Sequence, residues 1–174
     1  MNARFLTSGS VLLALLMCPM AAAAQGGRIQ LDQLNRLAAK AAETVDVTVD
    51  SAMLKQSAGF LAGRGGDNPK LQELIEGIRG IYVKSFKFQS AGGYSDADVE
   101  AVRKQVARAP WARIVGVREK GELTEIYLSN ERNENGGLVV ISAEADELTI
   151  VNIVGRVDLA SLAALGPMIP SLKK

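Results

Sequence analysis

Four consecutive segments with the character of β-strands, separated only by short polar turns, constrain the fold of this 174-residue chain more than any other feature. Asn135-Gly136, between the second and third segments, is a typical hairpin turn. Strands joined by such short loops pair as antiparallel neighbours, because a parallel connection needs a much longer crossover. The second half therefore predicts an antiparallel meander. Its strands are expected over residues 112–117, 122–129, 138–143 and 148–154.

The first half alternates helical and strand patterns. Leucine recurs at helical spacing over residues 31–42, and valine alternates strictly with polar residues over 44–50, which indicates a strand with one buried and one wet face. Ser51 is placed to cap the next helix, and Ser95 with Asp98 forms a capping-box start. Helices are predicted over 31–42, 51–61, 69–80, 95–108 and after Asp158, and strands over 44–50 and 81–88.

This order of elements favours a single α+β domain. Helices dominate the first half, so we expect an antiparallel-rich sheet with helices packed on one face, and a short helix after the four-strand meander. Residues 138–141 and 150–151 are apolar at every position. Their strands are therefore predicted to be central and covered on both faces.

The first 24 residues have the layout of a secretory signal peptide. A positive start at Arg4 precedes an apolar run over 11–17, and a stretch of small residues ends at Ala24. We expect cleavage between Ala24 and Gln25, which places the domain of residues 25–174 in the periplasm or outside the cell. The alternative is a lipid anchor on Cys18, although Met17 is larger than the residue such a site needs before its cysteine. No later segment reaches the length of a transmembrane helix.

Residues 25–174 contain neither histidine nor cysteine, because the chain has no histidine and its single cysteine is Cys18. The common nucleophile–base pairs, the usual zinc sites and disulfides are thereby excluded, so we expect no enzyme activity, no cofactor and no metal. The chain has 20 basic and 19 acidic residues, and Arg4 is the one charged residue of the first 24. The remainder is neutral, which argues against nucleic-acid binding through a basic stripe.

Two polar motifs receive structural interpretations. The glycine-rich residues 63–67 are interpreted as a hinge between helices, because a phosphate-binding loop needs a strand before it and a lysine followed by serine or threonine at its end. Asp46 and Asp50 are expected on a solvated strand face, about 13 Å apart, which is too far for a shared catalytic proton.

The best candidate for a binding surface combines aromatic residues with one lysine. Three aromatic residues at alternate positions share one face of the strand predicted over 81–88, and a lysine lies among them, so this face is expected to be partly open. The only tryptophan follows the next helix and is a candidate contact anchor. The alternative for all the aromatic residues is core packing. The set is Tyr82, Lys84, Phe86, Phe88 and Trp111.

The order of these segments resembles the DUF4252 family. The residues that carry the resemblance are 137–142, 147–155 and 157–159 with Leu162, preceded by 81–86 and 99–103, and the likeness extends over about 31–165. It implies a shared fold and membership of a group of small exported bacterial proteins without established activity, many of them lipoproteins. It supplies no catalytic residues. Unlike those lipoproteins, this chain has a large residue, Met17, directly before Cys18.

Three functions are compatible with the sequence. The first is a non-catalytic cell-envelope protein that binds another protein or acts as an accessory or sensory domain. The second is a periplasmic carrier of a small or apolar ligand held between helices and sheet. The third is a hydrolase that depends on carboxylates, which requires two carboxyl groups within about 5–10 Å in a cleft. The identity of the partner and the oligomeric state are not specified by the sequence.

Overall fold

The strand-forming segments of both halves assemble into one sheet. A computed structural model describes residues 26–62, 76–129, 131 and 135–157. Helical segments alternate with strands early in this part of the chain, and strands alone follow. The elements are the 3-10 helix Asp32–Leu37, β1 Glu43–Asp50, α1 Ser51–Ala62, β2 Ile78–Lys87, α2 Asp96–Arg103, β3 Trp111–Glu119, β4 Glu122–Ser129, β5 Gly137–Ala143 and β6 Glu147–Gly155.

The sheet is antiparallel throughout, with strand order β1-β2-β6-β5-β4-β3. Strands β3 to β6 are the predicted meander, which is confirmed together with the α+β class. Because β6 pairs with β2 as well as β5, the two most apolar strands are central. Every residue of β5 is buried, as its uninterrupted apolar run predicts. The two edges of the sheet are β1 and β3.

The main core lies on one face of this sheet. The 3-10 helix contributes Leu34 and Leu37, and α2 contributes Val99 and Val102. Apolar burial is the main stabilising term for such a cluster, at about 25 cal/mol per Å² removed from water. The sheet side of the cluster consists of Phe86, Phe88, Tyr127, Val139, Ile141, Ala143, Leu148 and Ile150.

A second, smaller cluster lies on the opposite face. It is built around Leu138, Val140 and Ile153, and Leu54 of α1 packs against it. The expectation of helices on one face therefore describes the 3-10 helix and α2, whereas α1 contributes to the other face. None of the helices in the described ranges is long and apolar enough to cross a membrane.

The prediction of a helix over 31–42 is wrong in type and length. The chain forms one short 3-10 helix, Asp32–Leu37, and then turns before β1. Leu31, Leu34 and Leu37 are all buried. Their spacing of three residues matches the three residues per turn of a 3-10 helix, so the leucines reach the core without an α-helix.

Strand β1 forms where the alternation predicts it, but the prediction of a buried face is wrong. Val45 is 48% exposed and Val47 38% exposed, and Val49 alone among its eight residues is half-buried. Alternation reveals the two faces of a strand but not its place in the sheet. As an edge strand, β1 pairs only with β2 among the described residues, and neither of its faces is well covered.

Several boundaries also differ from the expectations. β2 begins at Ile78, so Ile78 and Gly80 belong to the strand rather than to the helix predicted over 69–80. α2 ends at Arg103 instead of 108. Most of the helix predicted over 69–80 lies outside the described residues, as do the signal peptide over 1–24, the hinge at 63–67 and the helix after Asp158.

The helix caps are set by aspartate side chains. Asp50, rather than the predicted Ser51, caps α1, because its Oδ1 accepts the backbone N–H groups of Ala52 and Met53, each at 2.9 Å. The capping box of α2 is confirmed, with the Ser95 N–H donating to Asp98 Oδ2 at 2.8 Å.

A buried asparagine fixes the N-terminal segment against the sheet. Asn152 of β6 is fully buried; its Oδ1 accepts the Ile29 N–H at 3.0 Å, and its Nδ2 donates to the carbonyls of Gly27 at 2.8 Å and Leu138 at 3.2 Å. Gly27 approaches so closely that a Cβ there would lie 1.9 Å from the Gly136 oxygen. This attachment directs the residues that follow across the sheet face toward β1 and β2.

Candidate functional site

A polar cleft opens between the N-terminal segment and the first two strands. Its volume is about 210 Å³, and its walls come from residues 28–32 on one side and from β1 and β2 on the other. We call it the β1 cleft. Its charged and polar lining comprises Arg28, Gln30, Asp32 and Asn35 before β1, Asp46 and Thr48 of β1, and Tyr82 and Lys84 of β2.

An ion pair between neighbouring strands crosses the floor of the β1 cleft. Asp46 and Lys84 are opposite each other in the β1–β2 register, and Lys84 Nζ lies 2.6 Å from Asp46 Oδ2. The lysine side chain is 11% exposed, whereas the aspartate side chain is 57% exposed. A nearly buried ammonium needs a partner, because its desolvation is costly when it is left alone.

A cation–π contact brings a second positive charge to the same cleft. The guanidinium carbon of Arg28 lies 4.3 Å from the centroid of the Tyr82 ring. Two basic and two acidic side chains therefore line the cleft, so its formal charge is balanced. With this size and lining, the cleft can hold a polar group of a few atoms, but it is smaller than the ~300–1,000 Å³ pockets of drug-sized ligands.

Replacing either partner of the ion pair in the β1 cleft is expected to lower stability, but by different amounts. We expect Asp46→Asn to lower the free energy of unfolding by about 1 kcal/mol, because it leaves the Lys84 ammonium buried with a weaker partner. Lys84→Met removes the charge and keeps the apolar stem, so we expect it to cost less. Urea titration of both variants checks this order, and a larger loss in Lys84→Met would contradict the role assigned to Asp46.

The β1 cleft adjoins the outer edge of β1. β1 pairs with β2 through eight consecutive residues, from Glu43 to Asp50, without a register shift. The strand contains no proline, lysine or arginine. Three valines follow Glu43 on one face, and threonine and aspartate alternate on the other. Its outer backbone groups have no strand partner within the described residues.

The structure separates the five residues of the predicted binding surface. Tyr82 and Lys84 line the β1 cleft. Phe86 and Phe88 are buried in the main core, and Trp111 is half-buried against the same core on β3, at the far edge of the sheet. Whether Tyr82 and Lys84 bind anything stays a prediction.

The predicted surface misses the other charged and polar residues of the β1 cleft, among them Arg28 and Asp46. Asp46 is exposed, in agreement with the predicted solvated face, but local alternation does not reveal that Lys84 of β2 lies opposite it. The lysine opposite it lies 38 residues away. No local sequence motif predicts the contact of Arg28 with Tyr82, because it depends on the attachment of the N-terminal segment through Asn152.

A second polar cluster lies beneath α2 at the other end of the sheet. Glu125 is 2% exposed and accepts hydrogen bonds from Arg103 Nε at 2.8 Å, Arg113 Nη1 at 2.9 Å and the Tyr127 hydroxyl at 3.1 Å. Burial alone would raise the pKa of Glu125, but the hydrogen bonds from Arg103, Tyr127 and Arg113 and the charge of Arg103 lower it overall.

This second cluster is already satisfied from within the chain. Burial and the neighbouring Glu125 carboxylate raise the pKa of Tyr127, so its hydroxyl remains a hydrogen-bond donor at neutral pH. Each Glu125 oxygen has at least one donor. Among the described residues, no group of three or more His, Cys, Asp or Glu side chains could hold a metal. We therefore assign the Glu125 cluster to stability.

Comparison with known proteins gives one family and nothing more detailed. The model of DUF4252, a domain of unknown function, matches residues 39–165. This range contains both the middle and the closing segments on which the resemblance rests. No curated protein and no solved structure matches the chain.

Proposed function

Because this chain belongs to the DUF4252 family, whose function is unknown, we propose a role from its site: an exported, non-catalytic domain of the cell envelope that binds another protein strand along β1. The proposal rests above all on the outer edge of β1, which pairs with no strand in the part of the chain that the structure describes. An exposed edge strand presents a row of backbone N–H and C=O groups that can extend the sheet with a strand from a partner.

The contrast between the two edges of the sheet supports this choice. Proteins protect edge strands with bulges, prolines and charged side chains. β3 carries such protection, because its register with β4 shifts between Arg113 and Val115 and it contains Arg118 and Glu119 near its end. β1 has neither a bulge nor a basic residue. β1 does carry the acidic residues Glu43, Asp46 and Asp50, so the bulge is the feature that distinguishes the two edges, and we expect the strand without a bulge to be the one that is used.

Export and the absence of catalysis are supported by the sequence. The first 24 residues match the layout of a signal peptide, and residues 25–174 offer no histidine or cysteine for nucleophilic or acid–base chemistry. Of the two carboxylates in the β1 cleft, Asp46 is held in an ion pair with Lys84. This arrangement favours binding over hydrolysis.

Site-specific photo-crosslinking in living host cells tests the proposal. We expect a benzophenone amino acid in place of Val47 to give a crosslinked protein product that is recovered from the cell-envelope fraction. The matched control is the same substitution at Val117, which is 52% exposed on β3 at the opposite edge. Three outcomes would contradict the proposal. They are equal crosslinking at both positions, no crosslinking at Val47, and absence of the protein from the envelope fraction.

The second candidate is carriage of a small polar ligand in the β1 cleft. The observation that favours it is the placement of the Arg28 guanidinium over Tyr82, beside the Lys84–Asp46 pair. Native mass spectrometry of protein purified gently from its host tests it. A bound mass that is lost in an Arg28→Ala variant supports carriage, and the bare mass of the chain in the unmodified protein argues against it.

A further inference from the structure

The acidic residues of β1 are each compensated from within the chain. Asp46 pairs with Lys84 at 2.6 Å, and Asp50 accepts two N–H groups at the start of α1. Glu43 lies opposite Lys87 in the β1–β2 register, where opposite charges attract. The outer edge therefore does not need a basic partner strand to balance its charge.

A second copy of β1 fits this edge in one antiparallel register. When a two-fold axis passes through Val47, each valine faces a valine: Val47 faces its own copy, and Val45 faces Val49. On the other face Asp46 lies opposite Thr48, and Thr44 opposite Asp50, so no two acidic residues are directly opposed.

The neighbouring registers are disfavoured by charge. An axis through Asp46 places that carboxylate opposite its own copy, and an axis through Thr48 places Asp46 opposite Asp50. Like charges directly opposite each other destabilise a strand pair. Axes nearer either end of β1 align fewer residues. The sequence of the strand thus selects the register centred on Val47.

We propose that the partner of β1 is a second copy of this chain, joined as an antiparallel β1–β1 pair centred on Val47. This proposal rests on the proposed function, since it names the strand that occupies the same edge. Two-fold pairing uses the same surface on both copies, so it closes at a dimer and leaves the bulged β3 strands as the outer edges. The pair also places valines of the second copy beside the exposed Val45 and Val47.

Cysteine crosslinking tests the register directly, because residues 25–174 contain no cysteine. The full chain carrying Cys18→Ser is expressed in its host, recovered from the envelope fraction and oxidised. Val47→Cys is expected to form a disulfide-linked dimer, since directly opposed residues have Cα atoms about 4.5–5.5 Å apart, within the range a disulfide spans. Val45→Cys alone is the matched control, because its two copies would be about 13 Å apart.

A mixture of two variants supplies the decisive comparison. Val45→Cys mixed with Val49→Cys is expected to give about tenfold more linked dimer than either variant by itself, because only the mixture places two cysteines directly opposite each other. No dimer from Val47→Cys, or equal dimer from Val45→Cys alone, overturns the proposal. If the photo-crosslink at Val47 joins a different protein while Val47→Cys stays monomeric, the proposed function stands and self-pairing fails. If Val47 crosslinks to nothing, both fail.

Discussion

Replacing Asn152 by leucine is expected to lower the free energy of unfolding by about 3–5 kcal/mol, although leucine has the same branched shape as asparagine. The side chain is fully buried and satisfies the Ile29 N–H and the carbonyls of Gly27 and Leu138. The substitution leaves these backbone groups without their partner, and each unsatisfied buried group costs about 1–3 kcal/mol. Thermal unfolding should shift downward by about 10 °C.

The matched control for this prediction is Asn35→Leu. Asn35 is an exposed residue of the 3-10 helix, so we expect its replacement to change stability by no more than about 0.5 kcal/mol. Chemical denaturation of both variants provides the comparison. If Asn152→Leu unfolds at the same denaturant concentration as Asn35→Leu, the attachment of the N-terminal segment does not depend on this amide.

Glu125→Gln is expected to cost about 2–3 kcal/mol and to change how stability depends on pH. The amide keeps one acceptor oxygen but presents an NH₂ group to arginine donors that now face a carboxylate. The pKa of Glu125 is lower in the folded state than its ordinary value of about 4.3. Its contribution is therefore fully present above that value and is lost as the pH falls through the folded-state pKa.

Denaturation curves of the two proteins between neutral and acidic pH measure this contribution. The difference in stability between the unmodified protein and Glu125→Gln should be constant near neutrality and should shrink below about pH 4.3. Glu119→Gln is the control, because Glu119 is exposed on β3 and should change stability by no more than about 0.5 kcal/mol. A difference that stays constant down to strongly acidic pH contradicts a stabilising carboxylate at position 125.

The sheet was largely predictable because its signals are local. Turn residues such as Asn135 and Gly136 mark the hairpin between β4 and β5, and the uninterrupted apolar run of β5 reveals its central place. The capping box of Ser95 and Asp98 is local in the same sense. Where a motif of a few residues determines the structure, the sequence alone is sufficient.

The candidate site was less predictable because it depends on contacts between distant residues. Asp46 meets Lys84 only through the register of β1 and β2, and Arg28 reaches Tyr82 only because Asn152 holds the preceding segment. The exposure of β1 follows from its place at the edge of the sheet, which strand periodicity does not encode. Alternation alone therefore predicted a buried valine face.

Hydrogen–deuterium exchange along both edge strands tests most directly whether β1 pairs with another strand. The protein is labelled at low concentration, at high concentration and in the envelope fraction of its host. We predict that the β1 amides exchange more slowly at high concentration or in the envelope fraction, while the β3 amides exchange at the same rate in all three conditions. Identical exchange of β1 in every condition would contradict the account, because an edge strand that binds a partner must protect its outer N–H groups.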